Sequence, residues 1–129
     1  SLPRIKLIEK IKKASVCIVP LINKKLFKVA IPSKIFEIMA CRKPVILGLK
    51  GEAEKIVKNN NCGITVEPEN ADELKNAILT YYNDKNLSEI HGNNGVNYVT
   101  KYMQKEYLLS EFLFELKNKA KDLSLNINI

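Results

Sequence analysis

A serine, a lysine and a glutamate within five residues, Ser33, Lys34 and Glu37, are the part of this chain that best suits binding chemistry. A helix that begins near Ser33 presents unpaired backbone N–H groups and a partial positive charge, which attract anions such as phosphate. Lys34 adds a full positive charge beside them. Glu37 lies one turn deeper on the same helix face as Ser33, where its carboxylate can accept hydrogen bonds from two vicinal hydroxyls. This layout suits the diphosphate and ribose of a nucleotide.

A purely structural interpretation of the same residues stays open. Ser33 is a common N-cap residue, and the helix dipole favours an acid such as Glu37 near the start of a helix. Pro32 at the first helical position would begin the helix equally well. The spacing alone therefore does not separate a ligand site from a well-started helix.

The surrounding pattern predicts an α/β fold. Short apolar runs predict buried strands at 16–19, 45–47 and 64–66. Amphipathic spacing and end signals predict helices at 3–13, 34–41, 52–59, 70–82, 87–98 and 103–120. This alternation is typical of a parallel sheet with helices on both faces, in which ligands bind beyond the carboxyl ends of the strands. We expect one domain over residues 1–129, with a poorly ordered tail at 118–129.

Composition and charge narrow the class of protein. With 46% hydrophobic and 27% charged residues among 129, the chain resembles soluble globular proteins, and no apolar run approaches a membrane span. Residues 1–60 carry fourteen Lys and Arg against four Asp and Glu, a balance of +10, whereas residues 61–129 carry seven against ten, a balance of −3. The basic half predicts anionic partners such as a nucleotide or an acidic membrane face, although solvated lysines explain it equally well.

The other chemically capable residues are predicted to be structural. The cysteines are three in number and lack ligand spacing, which predicts reduced, mostly buried thiols in a cytoplasmic protein: Cys17, Cys41 and Cys62. The single histidine, His91, is predicted to be a surface residue at a helix-to-turn junction. Tyr81, Tyr82, Phe112 and Phe114 are predicted to be core. Glu52 and Glu54 either line a cleft or are acids at the start of a short helix, and both interpretations stay open.

The segment 32–40, followed by Lys43-Pro44-Val45-Ile46, resembles the signature of the retaining glycosyltransferases of family 4. It is most similar to the bacterial cell-surface polysaccharide type, whose motif reads Pro-Ser-Lys-x-x-Glu. Further blocks match in the same order, so that the resemblance covers nearly the whole chain: 14–21, 51–57, 62–68, 94–95 and the closing helix with Tyr102.

The resemblance implies a GT-B fold, with two Rossmann-like domains across a cleft, of which this chain would be most of the C-terminal, sugar-nucleotide-binding domain. Carried over by position, Glu37 would hold the ribose hydroxyls, and Ser33 and Lys34 would face the diphosphate. Gly48 and Gly51 would lie near the base or the sugar. The implied substrate is a nucleoside diphosphate sugar, with a polysaccharide or a lipid-linked sugar as acceptor, no cofactor, no metal signature and no nucleic acid partner. No catalytic residue is identified.

Two positions depart from the family pattern. Val29 stands where the family often has a glutamate in contact with the donor sugar, and Val96 stands where an arginine often follows the Asn-Gly pair. The chain does not begin with Met, and the acceptor domain would precede it, so we expect weak nucleotide binding and no transfer by these residues alone. The alternatives are a nucleotide-binding module of a related GT-B protein, such as a sugar-nucleotide epimerase, and a non-catalytic interaction domain.

A peripheral contact with the inner face of the membrane is a further expectation. The predicted helix 3–13 and the predicted basic loop 21–31 together carry seven lysines, and each cation near anionic lipid contributes about 1 kcal/mol.

Overall fold

Parallel strand pairing organises the computed structural model, which describes residues 4–19 and 33–124. The elements are α1 (Arg4–Lys13), β1 (Cys17–Val19), α2 (Ser33–Ala40), β2 (Val45–Leu47), α3 (Glu52–Asn59), β3 (Gly63–Thr65), α4 (Ala71–Asn83) and α5 (Lys85–Asp122). The strands form one sheet in the order β1-β2-β3, and both pairs are parallel. The predicted α/β class and parallel sheet are confirmed.

The third strand begins one residue before its predicted start. Gly63, which the sequence places in a turn, pairs with Val45 as the first residue of β3. A Cβ at position 63 would collide with the carbonyl oxygen of Val45, so a residue without a side chain lets the two strands approach at this point.

Alternating residues of the central strand β2 pack against helices on opposite faces of the sheet. Val45 and Leu47 belong to a core with residues of α1, α2 and α3, including the fully buried Ile38. Ile46, between them, packs with Ala77 and Tyr81 of α4. Because side chains alternate along a strand, each face of the sheet has its own helical layer, and the predicted helices on both faces are confirmed.

The two helices predicted at 87–98 and 103–120 are one continuous helix, α5. Residues 99–102 contain neither glycine nor proline, so nothing in the chain interrupts the backbone hydrogen bonds there. Gly92 and Gly95, which belong to the predicted helix 87–98, lie inside α5. A Cβ at 92 would stand 2.5 Å from the carbonyl oxygen of Arg42, and one at 95 would stand 3.2 Å from the Met39 side chain. The glycines therefore allow α5 to pass close to the end of α2.

The chain divides into two compact units, Ser1–Val99 and Thr100–Ile129. In the second unit the helix includes residues 118–122 of the predicted tail, and residues 125–129 lie outside the described part. Phe112 and Phe114 are exposed by 60% and 67%, so the prediction that they are core is wrong for the described residues. No helix within 4–19 and 33–124 is long and apolar enough to cross a membrane.

Some sequence predictions concern residues outside the described part. The basic loop 21–31, Val29 and Pro32 are among them. The lysines of α1 are described, and all four are exposed: Lys6, Lys10, Lys12 and Lys13. Contact with a membrane stays a prediction.

Candidate functional site

The first turn of α2 lies on the side of the sheet where the strands end. Ala40 is the last residue of α2, and a short turn leads from it to the start of β2 at Val45. The Lys43 N–H donates to the carbonyl oxygen of Ile38 in this turn, and α2 packs on the face of β2. Because α2 thus ends where β2 begins and runs back along it, its first residue, Ser33, lies towards the carboxyl edge of the sheet.

Three buried side chains hold α2 on the sheet and decide which of its residues face outward. Ile35, Ile38 and Met39 are no more than 1% exposed. Lys34 is exposed and Glu37 is partly exposed. Hydrophobic anchors therefore leave the cation and the carboxylate on the accessible part of the same helix, as the sequence interpretation requires.

Ser33 is a helical residue of α2 and not its N-cap residue, and the residues before it lie outside the described part. The helix predicted at 34–41 is present, and it ends at Ala40 rather than at Cys41. The N-terminal backbone N–H groups of any helix lack partners within it, so the argument for an anion site at this end of α2 keeps its basis.

The loop that follows β2 is the second part of the predicted site. The Gly48 N–H donates to the carbonyl oxygen of Val19 over 3.0 Å, which places Gly48 beside the end of β1. Leu49 is 2% exposed and fastens the loop to the core. Gly51 precedes α3 with φ 108° and ψ −145°, a backbone conformation that favours glycine. Both predicted glycines thus shape the backbone at the carboxyl edge.

An ion network in this loop was not found from the sequence. The Lys50 ammonium donates to Glu54 Oε2 over 3.1 Å and to Glu67 Oε1 over 2.6 Å. Lys58 also approaches Glu54 Oε2, at 3.4 Å. Lys50 and Glu54 are four residues apart at the start of a helix, a spacing from which an ion pair can be predicted. Glu67 is seventeen residues from Lys50, and no sequence pattern predicts that these two side chains meet.

The pKa values within this network follow from its geometry. The hydrogen bonds from Lys50 to Glu67 and then to Glu54 raise the pKa of the Lys50 ammonium. Burial by itself would raise the pKa of Glu54, but the hydrogen bonds and charges of Lys50 and Lys58 outweigh it and hold that pKa below its usual value. Lys50 and Glu54 are therefore both charged near neutral pH.

Glu52 differs from Glu54 in its surroundings. Its carboxylate is 3.4 Å from the Lys55 ammonium, and the two side chains are 58% and 68% exposed. Such an exposed pair contributes little to stability. The geometry favours a first-turn acid for Glu52 and a network member for Glu54.

His91 is not the surface residue at a turn that the sequence predicts. It lies inside α5, is partly buried, and its Nδ1 is 2.7 Å from the hydroxyl oxygen of Tyr81. Tyr81 is 5% exposed, as the core prediction requires, whereas Tyr82 is 78% exposed and the same prediction is wrong for it. Burial lowers the pKa of His91, which favours the neutral ring, and its Nδ1 and the Tyr81 hydroxyl share a hydrogen bond whose direction depends on the tautomer of the ring.

The cysteines are free thiols, and the described residues offer no cluster of ligands for a metal. Cys62 is buried, and Cys17 and Cys41 are partly buried. Burial raises the pKa of the Cys62 thiol to about 11. Within 4–19 and 33–124 no three His, Cys, Asp or Glu side chains come together in a way that would hold a metal ion.

An apolar pocket of about 230 Å³ lies at the same edge but on the other face of the sheet. Ile18, Ile46 and Leu74 are among its lining residues, with Gly48 and Glu67 at the strand ends. Ile46 faces α4, whereas α2 packs on the face of Val45 and Leu47. The pocket and the α2 residues are therefore separate features that share the carboxyl edge.

The chain is similar to known proteins in sequence and in fold. The sequence model of the family described as Glycosyl transferases group 1 matches residues 1–98. The fold is similar to sucrose-phosphate synthase from Thermosynechococcus elongatus, with a TM-score of 0.68 and 24% sequence identity. That match covers 89% of this chain and 29% of the synthase chain, and at this identity it shows the fold alone. A comparison with curated proteins gives no match.

Proposed function

Because the chain belongs to the glycosyl transferases of group 1, we propose that it is the donor-binding part of an enzyme that transfers a sugar from a nucleoside diphosphate sugar. Its parallel sheet with helices on both faces matches part of a GT-B glycosyltransferase. The proposal extends to a retaining enzyme of family 4 that builds cell-surface polysaccharide, with a polysaccharide or a lipid-linked sugar as acceptor. The motif Pro-Ser-Lys-x-x-Glu at residues 32–37 supports this extension.

The first turn of α2 is the observation that carries the proposal. It combines backbone N–H groups, the exposed Lys34 and the partly exposed Glu37 at the edge where parallel sheets bind ligands. The diphosphate would lie against the backbone N–H groups at the start of α2, among them that of Ser33, and against the Lys34 ammonium. The two ribose hydroxyls would donate to the Glu37 carboxylate, because a carboxylate only accepts hydrogen bonds.

The β2–α3 loop would lie beside the donor nucleotide. Gly48 and Gly51 bring the backbone close to the edge without side chains of their own, in the vicinity of the base or of the sugar. The basic first half of the chain would attract the anionic donor from solution.

Transfer itself needs more than these residues. Stabilising the nucleoside diphosphate as it leaves is electrostatic, and the first turn of α2 suits that task. The acceptor must also be aligned at the anomeric carbon, which requires a second surface across a cleft. The chain spans 29% of the length of the synthase to which its fold is similar, and we expect nucleotide binding without transfer from these 129 residues.

Calorimetric titration with UDP, GDP and ADP tests the proposal. We expect one of the three to bind, and Glu37→Ala to weaken that binding by about tenfold, since hydrogen bonds to a charged group are lost. Glu89→Ala, at an exposed acid of α5, is the matched control and should leave the dissociation constant unchanged. Equal binding by Glu37→Ala and the control would show that the ribose assignment is wrong. Sugar transfer to any acceptor by these 129 residues alone would contradict the proposal that they bind the donor without catalysing transfer.

Lys34→Met separates the diphosphate from the ribose assignment. Removing one cation beside the diphosphate should weaken nucleotide binding most at low salt, because screening reduces such an interaction as the ionic strength rises. A nucleoside without phosphates should bind wild type and Lys34→Met equally well. The same loss for the nucleoside would place Lys34 away from the diphosphate.

A further inference from the structure

Lys50 joins three pieces of chain that follow the ends of strands. It lies in the β2–α3 loop, its ammonium contacts Glu54 on α3, and it contacts Glu67 in the segment between β3 and α4. Its side chain is 32% exposed and that of Glu54 is 17% exposed. A partly shielded cation with a carboxylate on either side is more constrained than a single exposed pair.

The far end of this bridge is itself held in place. The Glu67 N–H donates to Glu73 Oε1 over 3.2 Å, and its carbonyl oxygen accepts from the Asn70 N–H over 3.2 Å. Asn70 caps α4 by accepting from the Glu73 N–H over 3.0 Å, and its amide donates to Glu73 Oε2 over 2.9 Å. The start of α4 therefore fixes Glu67, and through Lys50 it restrains the β2–α3 loop.

The β2–α3 loop contains two glycines, so its backbone conformation depends on contacts that restrain it. The loop has a glycine at each end, Gly48 and Gly51, and glycine populates more backbone conformations than any other residue. Leu49 anchors one side of it in the core. Among the described residues of this loop, Lys50 is the one whose side chain donates hydrogen bonds both to α3 and to the segment between β3 and α4.

We propose that Lys50 is a positioning residue for the donor nucleotide, which acts by clamping the β2–α3 loop to Glu54 and Glu67. The inference rests on the proposed function, because it takes that loop as part of the donor site. The Lys50 ammonium is already bound by two carboxylates, so the contact with phosphate is left to α2. The role of Lys50 is to hold the backbone of Gly48 and Gly51 in the conformation that binds the nucleotide.

Three variants of the full chain test the clamp. Lys50→Met removes the charge and keeps the length of the stem, Glu67→Gln weakens one anchor, and Lys50→Arg keeps the cation. We expect the first two each to weaken binding of the nucleoside diphosphate by about threefold, with no further loss in the double variant, because contacting residues are not additive. Lys50→Arg should retain most of the wild-type affinity for the nucleoside diphosphate. Lys55→Met, on α3 with its exposed pair, is the matched control and should bind as wild type does.

Hydrogen exchange of the amides of residues 48–51 gives a readout that needs no ligand. Lys50→Met and Glu67→Gln should speed exchange in this loop, and Lys55→Met should not, since opening of the loop is local. Urea unfolding of each variant accompanies the measurement. A loss of stability with unchanged affinity would assign Lys50 a structural role only and overturn the inference.

The sign of the Glu67→Gln effect separates positioning from direct contact. If Lys50 bound phosphate itself, Glu67→Gln would release it and tighten nucleotide binding, whereas the clamp requires weaker binding. If the wild type binds the nucleotide, Glu37→Ala binds it more weakly and Lys50→Met binds it as the wild type does, the role of Lys50 is overturned and the proposed function is not. A wild-type chain that binds no nucleotide would overturn the proposed function and the role of Lys50 in it together.

Discussion

Gly92→Ala is expected to destabilise the protein although alanine is the better helix former. Position 92 lies inside α5, where the helix passes the turn that ends α2. A Cβ there would stand 2.5 Å from the Arg42 carbonyl oxygen and 3.1 Å from its carbonyl carbon. Arg42 has φ 62°, so this neighbour belongs to a turn already in the left-handed region and has little freedom to move.

The size of the effect follows from two opposing terms. Carbon and carbonyl oxygen meet in close contacts at about 3.3 Å, so the turn and the helix must separate by about 0.8 Å. Overpacking of this kind costs about 3 kcal/mol where the neighbour is backbone, and replacing glycine in a helix returns about 1 kcal/mol. We therefore expect the free energy of unfolding to fall by about 2 kcal/mol, which lowers the urea midpoint by about 1 M.

Two further variants make the comparison decisive. Gly95→Ala would meet Met39 Cβ and Cγ at 3.2 Å, a contact too close by only a few tenths of an ångström, so the small overpacking cost and the helix gain should nearly cancel. Asn97→Ala, at an exposed position of the same helix, should raise stability by about 0.5 kcal/mol. Urea unfolding followed by circular dichroism, at an unchanged slope, gives all three differences. If Gly92→Ala is as stable as Asn97→Ala, the close approach of α5 to Arg42 is wrong.

Two other predictions concern buried titratable groups. Burial lowers the pKa of His91 below the ordinary value of 6.5, so the unfolded chain takes up a proton at higher pH than the folded chain does. The free energy of unfolding should therefore be level above pH 6.5. It should fall as the pH drops from 6.5 towards the lower pKa of the folded state. Urea titrations from about pH 8 to pH 5 check this, and His91→Gln should lose that part of the slope; an unchanged slope would refute the assignment. Cys62 is 0% exposed, and burial raises the pKa of its thiol to about 11. A thiol reagent at about pH 8 should therefore label Cys62 more slowly than Cys17 and Cys41, as measured by mass spectrometry. Labelling of Cys62 as fast as Cys41 would contradict its burial.

Local features of the sequence predict much of the first unit, because they depend on neighbours along the chain. Continuous apolar runs identify the strands, since a strand covered on both faces needs apolar residues on both. Helix α3 has its predicted bounds, Glu52–Asn59. Asn70 caps α4 through Glu73, as the spacing of the two residues predicts. The types and order of Ser33, Lys34 and Glu37 suggest a nucleotide site, because one helix turn positions all three, although the same spacing also fits a well-started helix.

The tertiary structure decided what depends on contacts between distant residues. Gly92 and Gly95 are poor helix formers in the sequence, and only the close approach of Arg42 and Met39 explains why α5 has glycine at these positions. The His91 ring forms a hydrogen bond with Tyr81, ten residues away. Lys50 meets Glu67 because parallel strands bring the loops after β2 and β3 to the same edge, which a chain spacing of seventeen residues does not reveal. Sequence periodicity predicts which side chains face inward on one element, whereas the partner that each side chain meets is set by how the elements pack.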